Sequence, residues 1–358
     1  MPKLAIAVLV LVIVVACGIA AAIAFGGPAQ LPPMQSVSDP FKSVDFSDLP
    51  PIQRYSARDG AQLAYRAYGQ ANGGAKGSVI LVHGSSSRSD SMHPLAKGFA
   101  QAGYVAYALD MRGHGESGEK GQIAYIGQLE DDLEDFLNAL RPSGRKSLIG
   151  FSAGGGFALR FAADARRNLF ASYLLLSPFL SQDASTYRPA SGGWASVGMP
   201  RILGLVILNR IGISSFNYLP VTAYALKPEA QKLLTPRYSF ALAMNFRPHN
   251  NYRADIAAAT QPMEVMVGQN DDQFYPERFS SEFSTAGRAV PVLIVPATGH
   301  IDLALSPVAV QAAVESIGRL NAGSSPSIEG TAAGKPASAP SRQALGQPVQ
   351  RYRMFYTI

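Results

Sequence analysis

The chain has 358 residues, 47% hydrophobic and 16% charged, which suits one large buried core and is too apolar for a disordered chain. Its net charge of +6 is scattered over short stretches and never gathers into a Lys/Arg block, so nothing in it points to nucleic acid. The single cysteine, Cys17, lies in an N-terminal apolar run and excludes an intrachain disulfide, a cysteine-built metal site and a cysteine nucleophile.

In chain order, the first element runs from Leu4 to Phe25 without a charged residue and follows Lys3. About 20 apolar residues match the hydrocarbon thickness of a bilayer. Residues 1–26 are read as a transmembrane signal anchor. The alternatives are a cleaved secretory signal and a lipoprotein signal, because Val14-Val15-Ala16-Cys17 has lipobox form. An anchor of this kind puts the body on the periplasmic side of the inner membrane, since Lys3 and the amino terminus bias the upstream flank toward the cytoplasm. Residues 27–51 are proline-rich and aperiodic, as in an extended spacer. Residues 52–320 form the folded body, and residues 321–358, rich in Gly, Ala, Ser and Pro, are expected to be disordered.

Within the body, Gln53 to Arg58 and Gln62 to Tyr68 flank Asp59-Gly60 as a hairpin. Nearly continuous apolar runs follow at Val79–Val82, Val105–Leu109, Ser147–Ile149, Tyr173–Leu176, Glu264–Val267 and Val292–Val295, as in strands buried on both faces. Helical patterns fill the intervals at Leu95–Ala102, Gln128–Leu140, Ala153–Ala163, Pro276–Phe283 and Pro307–Leu320. The alternation predicts an α/β fold with a mostly parallel central sheet and helices on both faces. The stretch from about 181 to 261 breaks the rhythm, is too long for a structureless loop, and is read as an inserted helical cap.

Gly150-Phe151-Ser152-Ala153-Gly154 sits where a buried strand turns abruptly into a helix, a place that presents a hydroxyl above the sheet and tolerates only small neighbours. A serine hydroxyl is a weak nucleophile, so it needs a base, and the base needs an acid that fixes its tautomer. Five histidines compete. His83 and His114 lie in tight glycine turns, His93 opens a helix, and His249 lies in the insert. His300 follows a late strand at Gly299 and is the predicted base. The acid is Asp271 or Asp272 after Gly268-Gln269-Asn270, with Asp302 a third candidate better suited to bracing its loop. Acyl transfer also needs donors for the developing oxyanion, and the backbone amides of Ala153 and Ser85 are placed for that.

Together His83-Gly84, Asp110-Met111-Arg112-Gly113-His114-Gly115-Glu116-Ser117, the Ser152 motif, Gly268 to Asp271 and Gly299-His300 resemble the α/β-hydrolase superfamily, and within it the lysophospholipase and monoacylglycerol-lipase-like group. The resemblance covers about Arg54 to Leu320 and is weak in the insert. It implies that Asp271 is the acid, that Asp110 to Ser117 is structural, and that the chain cleaves lipid-like acyl esters. Peptide, thioester and acyl-transfer chemistry on the same residues, or a pocket that binds without turnover, are the alternatives. No cofactor and no metal are expected, because Gly154-Gly155-Gly156 lacks a following Walker lysine and no ligand cluster is visible. An acyl chain is expected under the insert, against Leu203–Leu208, Trp194, Phe216, Tyr218 and Tyr224.

Overall fold

The computed structural model describes residues 2–34, 39–70, 74–189 and 193–323, so the expected disorder beyond 323 lies outside the described residues. The main sheet takes β1 (Gln53–Ser56), β2 (Gln62–Tyr68), β3 (Ser78–Val82), β4 (Val105–Leu109), β5 (Lys146–Phe151), β6 (Ser172–Leu176), then β10 (Met263–Gly268) and β11 (Val292–Val295). A smaller sheet comes between, from β7 (Ala195–Val197), β8 (Pro220–Tyr224) and β9 (Arg237–Ser239). The α-helices are α1 (Pro2–Phe25), α2 (His93–Gln101), α3 (Gln128–Leu140), α4 (Ala153–Ala163), α5 (Met199–Arg210), α6 (Phe240–Asn245), α7 (Tyr252–Ala258), α8 (Phe279–Thr285), α9 (Asp302–Leu305) and α10 (Pro307–Ala322).

The main sheet has the order β1-β2-β4-β3-β5-β6-β10-β11. Only β1 with β2 and β2 with β4 pair antiparallel; the rest of the sheet is parallel. Successive side chains of a strand point to opposite faces, and the apolar runs use both. Ile80, Val82, Leu148, Tyr173, Leu175 and Val265 pack on the face covered by α3, α4, α7 and α8. Val79, Leu81, Ile149, Leu174, Leu176 and Met266 pack on the face covered by α2, α9 and α10. Because β4 and β5 flank β3 on opposite sides, the chain changes direction across the sheet at β3. Beyond the carboxyl ends of the strands at such a switch point is where α/β folds bind ligands.

Two features differ from the sequence reading. The insert between β6 and β10 is not purely helical but carries the antiparallel sheet β7-β8-β9. Strands of three residues, as β7 and β9 are, leave no period-2 pattern to detect. The described parts of the segment expected as an extended spacer lie along the body. The Ala29 amide donates to Ser196 Oγ (2.9 Å), the Met34 amide to the Ala225 carbonyl (2.8 Å), Asp48 meets His93 and Lys97, and the Pro50 carbonyl accepts from Arg66. Among its described residues the one regular element is the short 3₁₀ turn Pro40–Ser43, and its prolines leave carbonyls free to accept hydrogen bonds.

Candidate active site

β5 ends at Phe151 and α4 begins at Ala153, so Ser152 alone turns the chain, at φ 54° and ψ −115°. A non-glycine residue at positive φ is strained, and this one is held by contacts that permit no larger neighbours. A Cβ at Gly150 would stand 2.1 Å from the Gly154 carbonyl oxygen, and one at Gly154 would stand 2.3 Å from that of His83. The Ser152 amide donates to the Leu176 carbonyl (2.9 Å), and its carbonyl accepts from Gly156 and Phe179. The backbone is therefore pinned while the half-exposed side chain points away.

The parallel order β5-β6-β10-β11 brings the loops after these strands together. Asp271, in the loop after β10, is buried at 2% exposure, whereas its neighbour Asp272 is exposed, which separates the two candidate acids. Asp271 Oδ2 lies 2.9 Å from His300 Nδ1 and accepts from Ser177 Oγ at 2.6 Å; Oδ1 accepts from the amides of Gln273 (2.8 Å) and Phe274 (2.9 Å). Burial pushes this carboxyl up, but His300 and the hydrogen bonds from Ser177 and Phe274 outweigh it and hold Asp271 below the usual aspartate range. The His300 ring is wedged between Phe151 (4.9 Å between ring centroids), the residue before Ser152, and Phe274 (5.3 Å). Among the described residues no hydrogen bond closes between Ser152 Oγ and His300 Nε2, and such contacts often tighten only with substrate bound. Asp302 accepts from the Gly299 amide at 3.1 Å and so braces the loop that carries His300.

On the other side of Ser152 lies the loop after β3. Gly84 packs under the serine, where an added Cβ would stand 3.4 Å from Ser152 Cβ, and Ser85 follows it. Among the described residues neither the Ser85 amide nor the Ala153 amide has an acceptor, so both are free to bind an oxyanion. The next residue, Ser86, sits at φ 67° and is tied to the insert. Its amide donates to the Tyr238 hydroxyl (2.5 Å) and its hydroxyl to the Thr235 carbonyl (2.7 Å). Tyr238 in turn meets His114 Nε2 at 2.6 Å, and Trp194 Nε1 donates to Ser85 Oγ at 3.2 Å.

Sequence reasoning missed Ser177 and Tyr238. Ser177 ended a predicted strand and carried a signal of position only; Tyr238 lies in a strand too short to detect. Of the residues expected to line an acyl pocket, Trp194 and Tyr224 gather near Ser85 and Tyr238. Leu203–Leu208 lies on α5, where Leu205 packs with Val221 and Phe240 and Leu203 and Ile207 stay exposed, as do Phe216 and Tyr218. The Asp110 segment is structural: Asp110 accepts from the amides of Ser89 (2.6 Å) and Glu116 (2.8 Å), and Arg112 clamps Asp132. His93 ties Asp48 to Tyr68, and His249 pairs with Asp255 at the insert's edge. Among the described residues no group of His, Cys, Asp and Glu side chains is placed to hold a metal ion.

The strand order, the strained serine after β5 and the two loops converging on it are those of an α/β-hydrolase. The chain belongs to the hydrolase family 4, described as serine aminopeptidase S33, which matches residues 73–288, more than half of it. It is 34% identical over 94 residues to a monoacylglycerol lipase of Mycolicibacterium smegmatis, covering 25% of this chain and 33% of that one. It is also 30% identical over 122 residues to a non-heme chloroperoxidase of Kitasatospora aureofaciens, covering 34% and 42%. The chain thus spans a third to two fifths of the curated relatives it matches. In three dimensions it is similar to a soluble variant of monoglyceride lipase from Saccharomyces cerevisiae, at 18% identity over 77% of this chain and 96% of that one, with a TM-score of 0.58.

Proposed function

We propose that this hydrolase cleaves carboxylic esters of lipid-like acyl chains through an acyl-Ser152 intermediate. The observation that carries the reading is the buried Asp271–His300 pair, joined at 2.9 Å and packed against Phe151 beside the strained Ser152. His300 Nε2 takes the Ser152 proton as Oγ bonds to the ester carbonyl carbon. The carbonyl oxygen becomes an oxyanion held by the Ser85 and Ala153 amides. When the carbon–oxygen bond to the alcohol breaks, His300 returns the proton to the leaving group. A water, deprotonated by His300, then releases the acid and restores Ser152. Asp271 keeps the imidazole in the tautomer with Nδ1 protonated and stabilises its cation.

The lipid-like substrate is supported by the kinship with a monoacylglycerol lipase and by α1, which is long and apolar enough to cross a membrane and has no buried residue in its most apolar window. We read residues 1–26 as a retained anchor, with the body outside the cytoplasm. Fluorophosphonate should label the full chain and fail to label Ser152→Ala; labelling retained in that variant would sink the assignment. On p-nitrophenyl esters from acetate to palmitate, kcat/KM should rise roughly three- to fourfold per added carbon, about 0.8 kcal/mol per CH₂, until the pocket is full. A flat profile would leave a general esterase, and faster turnover of the matching anilides would replace esters with amides.

A further inference from the structure

The insert exposes an unusual amount of apolar side chain in one place. Leu203, Ile207, Ile211, Ile213, Phe216 and Tyr218 all lie between residues 199 and 218 and are all open to solvent, Ile211 at 67% and Tyr218 at 58%. Outside α1 and this stretch, where Met199 is exposed as well, the remaining exposed large apolar residues are the adjacent Tyr125 and Ile126 and the isolated Leu233, Ile294 and Val308, which is ordinary for a surface. A contiguous patch of this kind marks a surface that something covers.

What covers it is indicated by the neighbour it already has. α5 packs antiparallel against the carboxyl end of α1. A Cβ at Gly198 would meet Gly26 and Gly27, the Arg201 amide donates to the Gly26 carbonyl, and a Cβ at Gly204 would stand 2.7 Å from Ile23 Cγ1. Arg201 also caps α1: its Nε donates to the Ile23 carbonyl (2.7 Å) and its Nη2 to the Ala24 carbonyl (3.0 Å), two of the acceptors a helix end leaves unpaired. α5 therefore meets α1 only over the last turns of α1, Ile19 to Gly26, and α1 before Ile19 stays exposed.

The turn that ends α5 is also built for a place short of water. Ile211, Gly212 and Ile213 donate their amides to Leu208 and Asn209 carbonyls. The Asn209 and Asn217 side chains satisfy each other in both directions, at 2.7 and 2.9 Å. Unpaired polar groups are expensive in a hydrocarbon environment, and these are paired. No acidic residue occurs from Ala184 to Pro228, while Arg188, Arg201, Arg210 and Lys227 do, a bias that suits an anionic lipid surface.

We propose that α5 and the loop to Tyr218 form a second membrane contact, inserted at the boundary of headgroups and acyl chains beside α1, with Arg210 at the headgroup level. The insert that supplies Trp194 and Tyr238 to the loop carrying Ser85 is thereby seated on the bilayer. The contact rests on the reading of α1 as a retained anchor, and the two are separable by depth.

The test uses the full chain with Cys17→Ser, carrying one new cysteine at Val12, Ile211, Phe216 or Glu315, each labelled with an environment-sensitive fluorophore. The proteins are reconstituted in phosphatidylcholine–phosphatidylglycerol vesicles with and without brominated lipid. Labels at Ile211 and Phe216 should be quenched at least about twofold more than the label at Glu315 on α10, and more strongly by bromines near the headgroup than by deep ones. Quenching at Val12 with Ile211 and Phe216 indistinguishable from Glu315 would overturn the second contact and leave the anchor. Quenching at Ile211 and Phe216 without Val12 would uphold the contact and overturn the anchor. No quenching at any of the three would overturn both.

Discussion

Two buried histidine groups flank Ser152, and they are built for opposite ends. His83 and His114 stack edge to face at 4.8 Å, and every ring nitrogen is occupied. His83 Nδ1 donates to the Gly84 carbonyl (2.7 Å) and Nε2 accepts from the Met111 amide (3.2 Å); His114 faces the Arg112 carbonyl and the Tyr238 hydroxyl. Burial favours the neutral form of both, partly offset at His83 by Asp110 and Asp90, and the proximity of His83 depresses His114 further. His300 is buried too, yet its Nδ1 faces a carboxylate and its Nε2 has no protein partner among the described residues. A histidine with both nitrogens committed and its cation disfavoured by burial orders a loop. One with a countercharge and a free nitrogen is equipped to carry a proton.

The contrast is broken most severely at His300. His300→Gln should reduce ester turnover by about 10⁴-fold or more without unfolding the chain, because no other histidine has a free nitrogen beside Ser152; steady-state kinetics beside a circular dichroism spectrum checks this. Next comes the acid: Asp271→Asn should cost roughly 10³- to 10⁴-fold in kcat, while Asp272→Asn, at an exposed position, stays within about tenfold. A reversed ranking would move the role to Asp272.

Ser177→Ala removes one of the four hydrogen bonds on Asp271 and should lower kcat by about tenfold with little change in KM. Its acid limb in a kcat–pH profile should also move up, since a donor that held the carboxylate down is gone; an unchanged limb would make Ser177 a packing residue only. The smallest effect is on stability. Because the folded-state pKa values of His83 and His114 lie below the ordinary 6.5, their contribution to stability is complete above that pH and declines as pH falls and the unfolded chain takes up protons the folded one refuses. Each costs up to about 1.4 kcal/mol per pH unit in that window. His114→Gln should therefore narrow the gap between urea midpoints at pH 7.5 and pH 5.5, and an equal gap in both proteins would contradict the neutral assignment.

Much of this was legible before any coordinates. The strands of the main sheet, α3 and α4 stand out because a strand buried on both faces is a nearly unbroken apolar run and an amphipathic helix repeats every three to four residues. The glycines around Ser152 announce a backbone too crowded for any other residue. Local pattern was enough for the central strands, the elbow at Ser152, and the residues equipped to act as base and acid. The rest depends on contacts between residues far apart in the chain, which local pattern does not carry. Asp271 is buried against His300 while Asp272 faces solvent, the meeting of β6 with β10 brought Ser177 to the Asp271 carboxylate, and the short strands of the insert carried Tyr238 to Ser86. The packing of α5 on α1 turned an expected pocket lining into an exposed apolar face, for no local pattern records which side of an all-apolar helix will find a partner.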